Sequence, residues 1–297
     1  MIRKKNYCLF ALTLGLIITF NNTKAQINPV IGLYYQNQYL ANPAMAGLEK
    51  GVVLNAAYKQ GFIKNNSTNL ADILTAEYQL NGKMGLGLQL NTDKDGLVRA
   101  NRYALSYAYH LQLTGNSMLN FGISAGIATE RIDESGIVGD SDDMLIEQYN
   151  NIKPYADADF GLAYTTPTIT VQAAVTNLRN VFYDTENAIY TPTTFYTAIS
   201  YKYAFSAIKL EPKVVYRGVR NYDNIVDAGL NATFFEDKFN LLAMYHSSNN
   251  ATLGFGYSHK KQLQFLLAYT LPVNNNLTVQ TNGDIELGLR INILNKQ

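Results

Sequence analysis

"YALSYAYHLQL", residues 103–113, holds two patterns at once. Its odd positions are Tyr103, Leu105, Tyr107, Tyr109, Leu111 and Leu113, and its even positions are Ala104, Ser106, Ala108, His110 and Gln112. Strand side chains alternate between faces with a period of two, so this stretch reads as a strand with one greasy face and one small, polar face. The same alternation returns in Leu119, Phe121, Ile123, Ala125 and Ile127, and in Phe195, Thr197, Ile199, Tyr201, Tyr203 and Phe205. It is cleanest near the end, where Ile285, Leu287, Leu289, Ile291 and Ile293 face away from Glu286, Gly288, Arg290 and Asn292. Five or six same-face positions outrun the usual globular strand and match the roughly nine to eleven residues with which a tilted strand crosses a bilayer.

Fourteen such segments are expected: 51–60, 70–80, 83–91, 101–113, 117–130, 155–166, 168–177, 194–205, 208–217, 225–235, 238–246, 251–258, 261–271 and 284–294. The connections between them alternate, with 247–250 alone short where a longer loop is due. Asn81-Gly82, 114–116, Pro167, Ser206-Ala207, Glu236-Asp237 and His259-Lys260 are tight, whereas 61–69, 92–100, 131–154, 178–193, 218–224 and 272–283 are open. Tight turns at one end and longer loops at the other characterise transmembrane barrels, and an even strand count returns both termini to the tight-turn side. The expected fold is therefore all-β: a 14-stranded antiparallel transmembrane β-barrel with short periplasmic turns and longer extracellular loops, in the cell outer membrane with both termini periplasmic. A secreted β-sandwich or β-helix would turn the apolar face into a core, but its other face would carry Lys and Glu for bulk water. Here that face is Gly, Ala, Ser, Thr and Asn. Closure also pairs every backbone amide, which a bilayer demands. Tyr58, Tyr78, Tyr103, Tyr164, Tyr216, Tyr245, Tyr257 and Tyr269 fall near strand ends, as an interfacial girdle requires. If the faces are assigned correctly, arginine at Leu105 should cost about 2 to 4 kcal/mol, and at Ser106 far less.

The N-terminus supports export. Arg3, Lys4 and Lys5 precede an apolar run from Tyr7 to Phe20 and a small-residue site at Thr23-Lys24-Ala25, the plan of a cleaved signal peptide with Gln26 as the first mature residue. The expected organisation is a signal peptide at 1–25, an N-terminal periplasmic segment at the barrel mouth at 26–50, and the barrel at 51–297. Cys8 is the single cysteine, so the mature chain has no disulfide, thiol nucleophile or thiolate metal site. Charged residues make up 16%, below the usual quarter, and the net charge of +1 gives no electrostatic reason to propose nucleic acid as a partner.

Chemistry is sparse. Ser106 and His110 share a face but lie about 13 Å apart along an extended strand, too far for a nucleophile and its base. His246 beside Ser247-Ser248 leaves a hydrolase open as a minor alternative, and His259 sits in a tight turn. Asp140, Asp142, Asp143 and Glu147 form an acidic loop without the EF-hand spacing, either simply solvated or an opportunistic Ca²⁺ site. "GLGLQL", 85–90, has the glycines of a phosphate loop but lies inside a strand with no helix after it. No metal or cofactor is expected. Lys209, Glu211, Lys213, Arg217, Glu286 and Arg290 fall on the lumen face; mixed signs in a confined space favour an occluded barrel over a selective pore.

One stretch has neither period: "YYQNQYLANPAMAG", 34–47. Asn42-Pro43 and Ala46-Gly47 are turn formers, so no helix runs through it, and something else must hold it. Gln36, Tyr39, Leu40, Asn42-Pro43-Ala44 and Ala46-Gly47 directly before a first strand, together with the ending "DIELGLRINI", resemble the PorP/SprF family of outer-membrane proteins of the type IX secretion system in Bacteroidota. The resemblance spans essentially the whole mature chain. It implies a non-enzymatic accessory that supports secretion or surface attachment of an adhesin or other cargo, with gliding motility as the usual setting. The partners so implied are that cargo, periplasmic components of the same machinery and outer-membrane lipid, with no small-molecule substrate. By analogy Tyr34, Tyr39, Asn42, Pro43 and Gly47 would dock at the inner mouth, and loops 131–154 and 178–193 would face the cargo. The rival reading is a diffusion or hydrophobic-substrate uptake channel.

Overall fold

The computed structural model describes residues 32–63, 68–134, 144–179, 194–219, 224–260, 262–273 and 281–293. The expected signal peptide and Gln26 lie outside them, as do Asp140, Asp142, Asp143 and nearly all of 178–193. Antiparallel strands follow one another around a ring: β1 (Val52–Ile63), β2 (Thr68–Asn81), β3 (Met84–Asp95), β4 (Val98–Gln112), β5 (Met118–Ile132), β6 (Tyr155–Thr165) and β7 (Ile169–Thr176). After β8 come β9 (Ile208–Val219), β10 (Ile225–Phe234), β11 (Phe239–His246), β12 (Asn250–His259), β13 (Leu263–Pro272) and β14 (Thr281–Ile293). β8 is in two pieces, Thr194–Tyr201 and Tyr203–Ala204, separated by Lys202, whose N–H turns aside to donate to Thr168 O at 2.6 Å. Both pieces pair with β9, so they form one strand. β1 pairs with β2 on one side and β14 on the other, which closes a 14-stranded barrel. None of the described helices is long and apolar enough to cross a membrane.

The two faces of "YALSYAYHLQL" separate as the alternation requires. Leu105 is 67% exposed on the outside, whereas Ser106 is 5% exposed and Ala108 fully buried on the inside. Ile123 and Ser124 on β5 repeat the contrast. A wall that turns leucine, isoleucine and phenylalanine outward has hydrocarbon as its solvent, which rules out a sandwich core. Tyr103, Tyr164, Tyr216, Tyr245, Tyr257 and Tyr269 all point outward. Above Leu90, Tyr103 and Ile127 the outer face turns polar: Thr92 Oγ1 donates to Asn101 Oδ1 at 3.0 Å, with Thr129 next in the row. The apolar band ends there on this side.

Strand pairing outlasts the apolar period. β3 and β4 continue through residues 92–100, read from sequence as an open loop, and meet in a tight turn at Gly96-Leu97. The side chains there are Asp93, Lys94, Asp95 and Arg99, so alternation of hydrophobicity stops while the backbone ladder runs on. Residues 144–150, also read as loop, form helix α1 (Met144–Asn150), which carries Glu147. It is pinned to β5 where Tyr149 Oη donates to Glu130 Oε2 at 3.0 Å and Asn150 Oδ1 accepts from Ile132 N at 2.7 Å.

Candidate functional site

Inside the cylinder lies the stretch that had no period. Residues Leu33–Tyr35, Gln38–Leu40 and Pro43–Met45 form three short 3₁₀ turns in succession. Asn37 Oδ1 accepts from Leu40 N and so caps the second turn. Asn42 is extended, as a residue before proline must be, and its Oδ1 accepts from Ala44 N at 2.9 Å while Nδ2 donates to Leu162 O on β6 at 3.0 Å. Pro43 opens the third turn, where its missing N–H leaves nothing unsatisfied. Gly47 ends the segment at φ +66, and a Cβ there would meet the backbone of Tyr78 and Gly85. The turn chemistry thus answers how an aperiodic segment holds its shape, and the barrel answers what holds the segment.

Its second half is seated sterically. Cβ atoms built on Gly85 and Gly87 of β3, Gly122 of β5 and Gly161 of β6 would collide with Ala46, the Tyr39 ring, the Pro43–Ala44 backbone and Asn42 respectively. Glycine weakens a strand, so glycines at inward positions mark close approach of another chain segment. Tyr39 Oη lies 2.7 Å from Ser106 Oγ, His110 Nε2 lies 3.1 Å from Ala46 O, and Gly47 N donates to Glu77 Oε2 at 3.1 Å. Burial pushes the Tyr39 hydroxyl above the ordinary phenol value, so it stays protonated. Ser106 therefore faces packed protein and not water. The expectation that arginine there would be mild does not hold, because it assumed a wetted lumen.

The first half is held by long polar side chains. Buried Glu286 accepts from Gly32 N at 2.8 Å. Arg290 donates to Gln36 O and Asn55 Oδ1 at 3.2 Å each and to Glu49 Oε1 at 2.7 Å, clasping the segment between its first two turns and beyond its last. Along β9, Lys209 sits at the rim and pairs with Asp237 at 2.7 Å, and Glu211 lines an internal cavity. Lys213 lies 5.3 and 4.8 Å from the ring centres of Tyr34 and Tyr35, and Arg217 grips Asp227 with two bonds of 2.8 and 3.0 Å. Tyr34 Oη donates to the same carboxylate at 3.3 Å. Tyr34, Tyr39, Asn42, Pro43 and Gly47 are all buried, and their contacts here are with the barrel's own wall.

Asp227 also belongs to an arrangement that resembles a catalytic relay. His246 Nδ1 lies 2.7 Å from Asp227 Oδ1, and Nε2 lies 2.8 Å from Thr252 Oγ1. The order is carboxylate, imidazole, hydroxyl. Yet Thr252 Oγ1 is a further 2.7 Å from Thr270 Oγ1, and His246, Asp227 and Thr252 have no exposed surface. No substrate carbonyl can reach that hydroxyl, so the relay joins β10, β11, β12 and β13 as structure. Ser247 and Ser248, the neighbours considered from sequence, are not part of it. Among the described residues no group of three His, Cys, Asp or Glu could hold a metal.

Beside the first half of the segment the barrel is hollow. A cavity of about 1090 Å³ opens toward the tight-turn end, bounded by Tyr35, Gln36 and Gln38 on one side and by wall residues such as Lys202, Asn240 and Gln264 on the other. Sequence reasoning did not foresee it, nor the glycine cradle. The available signal was the inward parity of Gly85, Gly87, Gly122 and Gly161 in strands otherwise rich in β-formers.

A plug of this kind, preceding the first strand of a 14-stranded barrel, can be placed by comparison. A family model, described as type IX secretion system membrane protein PorP/SprF, matches residues 23–291. The chain belongs to the PorP/SprF family. It is thus an outer-membrane β-barrel of that family. Among curated proteins nothing matches. Among solved structures, the CymD monoaromatic hydrocarbon channel superposes with a TM-score of 0.55 at 12% identity, covering 92% of this chain and 96% of that one. Omp33 of Acinetobacter baumannii does so at 0.50 and 10% identity over 83% and 100% of the two chains. The toluene transporter TbuX of Ralstonia pickettii gives 0.50 and 12% over 86% and 92%. At such identities the likeness is one of fold. It nevertheless corrects the expectation that a barrel of this build has no small-molecule substrate, since solved barrels of the same build include a hydrocarbon channel and a toluene transporter.

Proposed function

We propose that this PorP/SprF-family barrel is a normally closed outer-membrane conduit for small molecules, with residues 33–47 as its gate. The observation that carries the reading is a shared wall: Tyr35, Gln36 and Gln38 belong both to the plug and to the lining of the cavity beside it. A solute in the cavity touches the gate directly. Free-energy differences between bound and empty states can then reach the plug without any relay. On this reading residues 1–25 are removed on export, 26–50 form the gating segment at the periplasmic mouth, and 51–297 form the conduit. The test is solute flux into liposomes holding the purified barrel. Wild type should be near background, and Gly122→Val, which fills the seat of Ala44, should raise flux well above it; a tight barrel in both cases would end the proposal.

The family match favours a second reading, in which the chain works inside the type IX secretion system and supports secretion or surface attachment of a protein. The plug would then report on occupancy of the periplasmic mouth and need never open a pore. Deleting the gene and comparing the surface and released proteins separates the two: loss or shedding of one large surface protein with no change in solute uptake supports the accessory.

A further inference from the structure

Two of the solved barrels of this build carry hydrocarbons by name, but the cavity of this one sets Leu210, Leu242 and Leu266 among many polar side chains. The cavity is bounded by six side-chain amides, those of Gln36, Gln38, Asn231, Asn240, Gln264 and Asn292, and by hydroxyls such as Thr233 and Ser258. Its charges cancel: Lys202, Lys209 and Arg290 face Glu49, Glu211 and Asp237, and two of these pairs are closed at 2.7 Å. A hydrocarbon filling this space would strip water from amides and hydroxyls and offer nothing in exchange, a penalty incurred at every such group. An ion would meet no net opposite charge. A neutral molecule dense in hydroxyls would pair with the amides, which both donate and accept. The volume lies at the upper end of the range of small-ligand sites.

We propose that this cavity is a binding site for a neutral polyol of the oligosaccharide class. The proposal rests on the conduit reading for its physiological meaning and names the solute class, while the site itself stands on the lining. The experiment uses the full barrel in nanodiscs with maltotriose and toluene as probes, read by saturation-transfer difference NMR. Maltotriose should bind and toluene should not displace it. Asn240→Leu, which removes one amide from the lining, should weaken maltotriose about fivefold, the loss of one ordinary hydrogen bond. Gln264→Leu should do at least as much without touching the plug's glycine seat. Absence of maltotriose binding, its displacement by toluene, or wild-type affinity in both variants overturns the assignment. Flux of toluene without maltotriose binding would keep the conduit and discard this site. Maltotriose binding without flux in Gly122→Val would keep the site and discard the conduit.

Discussion

The plug has two halves that meet the barrel in different ways. Residues 39–47 lie against β3 to β6 with backbone pressed into glycines and no room for a methyl group. Residues 32–38 reach β2 and β7 to β14, with Leu33 over Gly288, Tyr34 packed on Tyr196 and Val215, and the ends of long charged and amide side chains around a large hollow. The second half rests on four glycines and the first on one, with polar arms supplying the rest of its hold. The difference shows that one plug can be fixed by shape on one side and by polar bonds on the other.

Removing the central carboxylate of the loose side should have the largest effect. Asp227→Ala leaves the buried Arg217 without its counter-charge, and breaking such a pair costs about 3 to 5 kcal/mol. The midpoint of denaturant unfolding should fall accordingly, and a shift near zero would mean that the polar arms are not what holds this side. Next comes a matched pair of identical substitutions. Gly122→Ala drives a methyl into plug backbone and should cost about 1 to 3 kcal/mol and expose residues 39–47 to protease. Gly254→Ala on β12 meets only side chains of Leu242 and Ala268 at 3.2 Å and beyond, and should be nearly silent. Equal behaviour would mean that the plug does not rest on Gly122. Smaller still, Tyr39→Phe deletes the 2.7 Å contact with Ser106 and should cost about 0.5 to 1.5 kcal/mol. Tyr34→Phe, whose bond to Asp227 is long at 3.3 Å, should cost less than Tyr39→Phe in the same denaturation series. The weakest effect is expected from Gln38→Ala, which loses one bond from Gln172 at 2.7 Å beside the hollow. It should barely move stability yet raise the rate at which a probe at Tyr35 exchanges between environments, measurable by NMR.

The strands were legible because the bilayer writes on every second residue. Leu105 and Ile123 disclose an outer face whatever the neighbours do. The turns of the plug were legible as turns, since Asn42-Pro43 and Gly47 impose their own backbone. How the segment seats was not, because that depends on Gly85, Gly122 and Gly161, whose meaning is the shape of what they admit. Periodicity can say that a glycine points inward, but not that Pro43 and Ala44 rest upon it. The extension of β3 and β4 past residue 91 escaped for the opposite reason: outside the apolar band the ladder persists without any hydrophobic signal. His246 reads as a bare histidine until the pairing of β10, β11 and β12 brings Asp227 and Thr252 to its two nitrogens. The cavity is defined by what is missing between side chains from many strands, and no local pattern encodes that.

One consequence of the closure has to do with time. β14 is the last strand of the ring in chain order, and it brings Glu286 and Arg290, the groups that take hold of Gly32, Gln36 and Glu49. Residues 39–47 can settle on β3 to β6 before the ring is shut, but the grip on Gly32 and Gln36 arises only with closure, so the plug is completed by the same event that seals the wall.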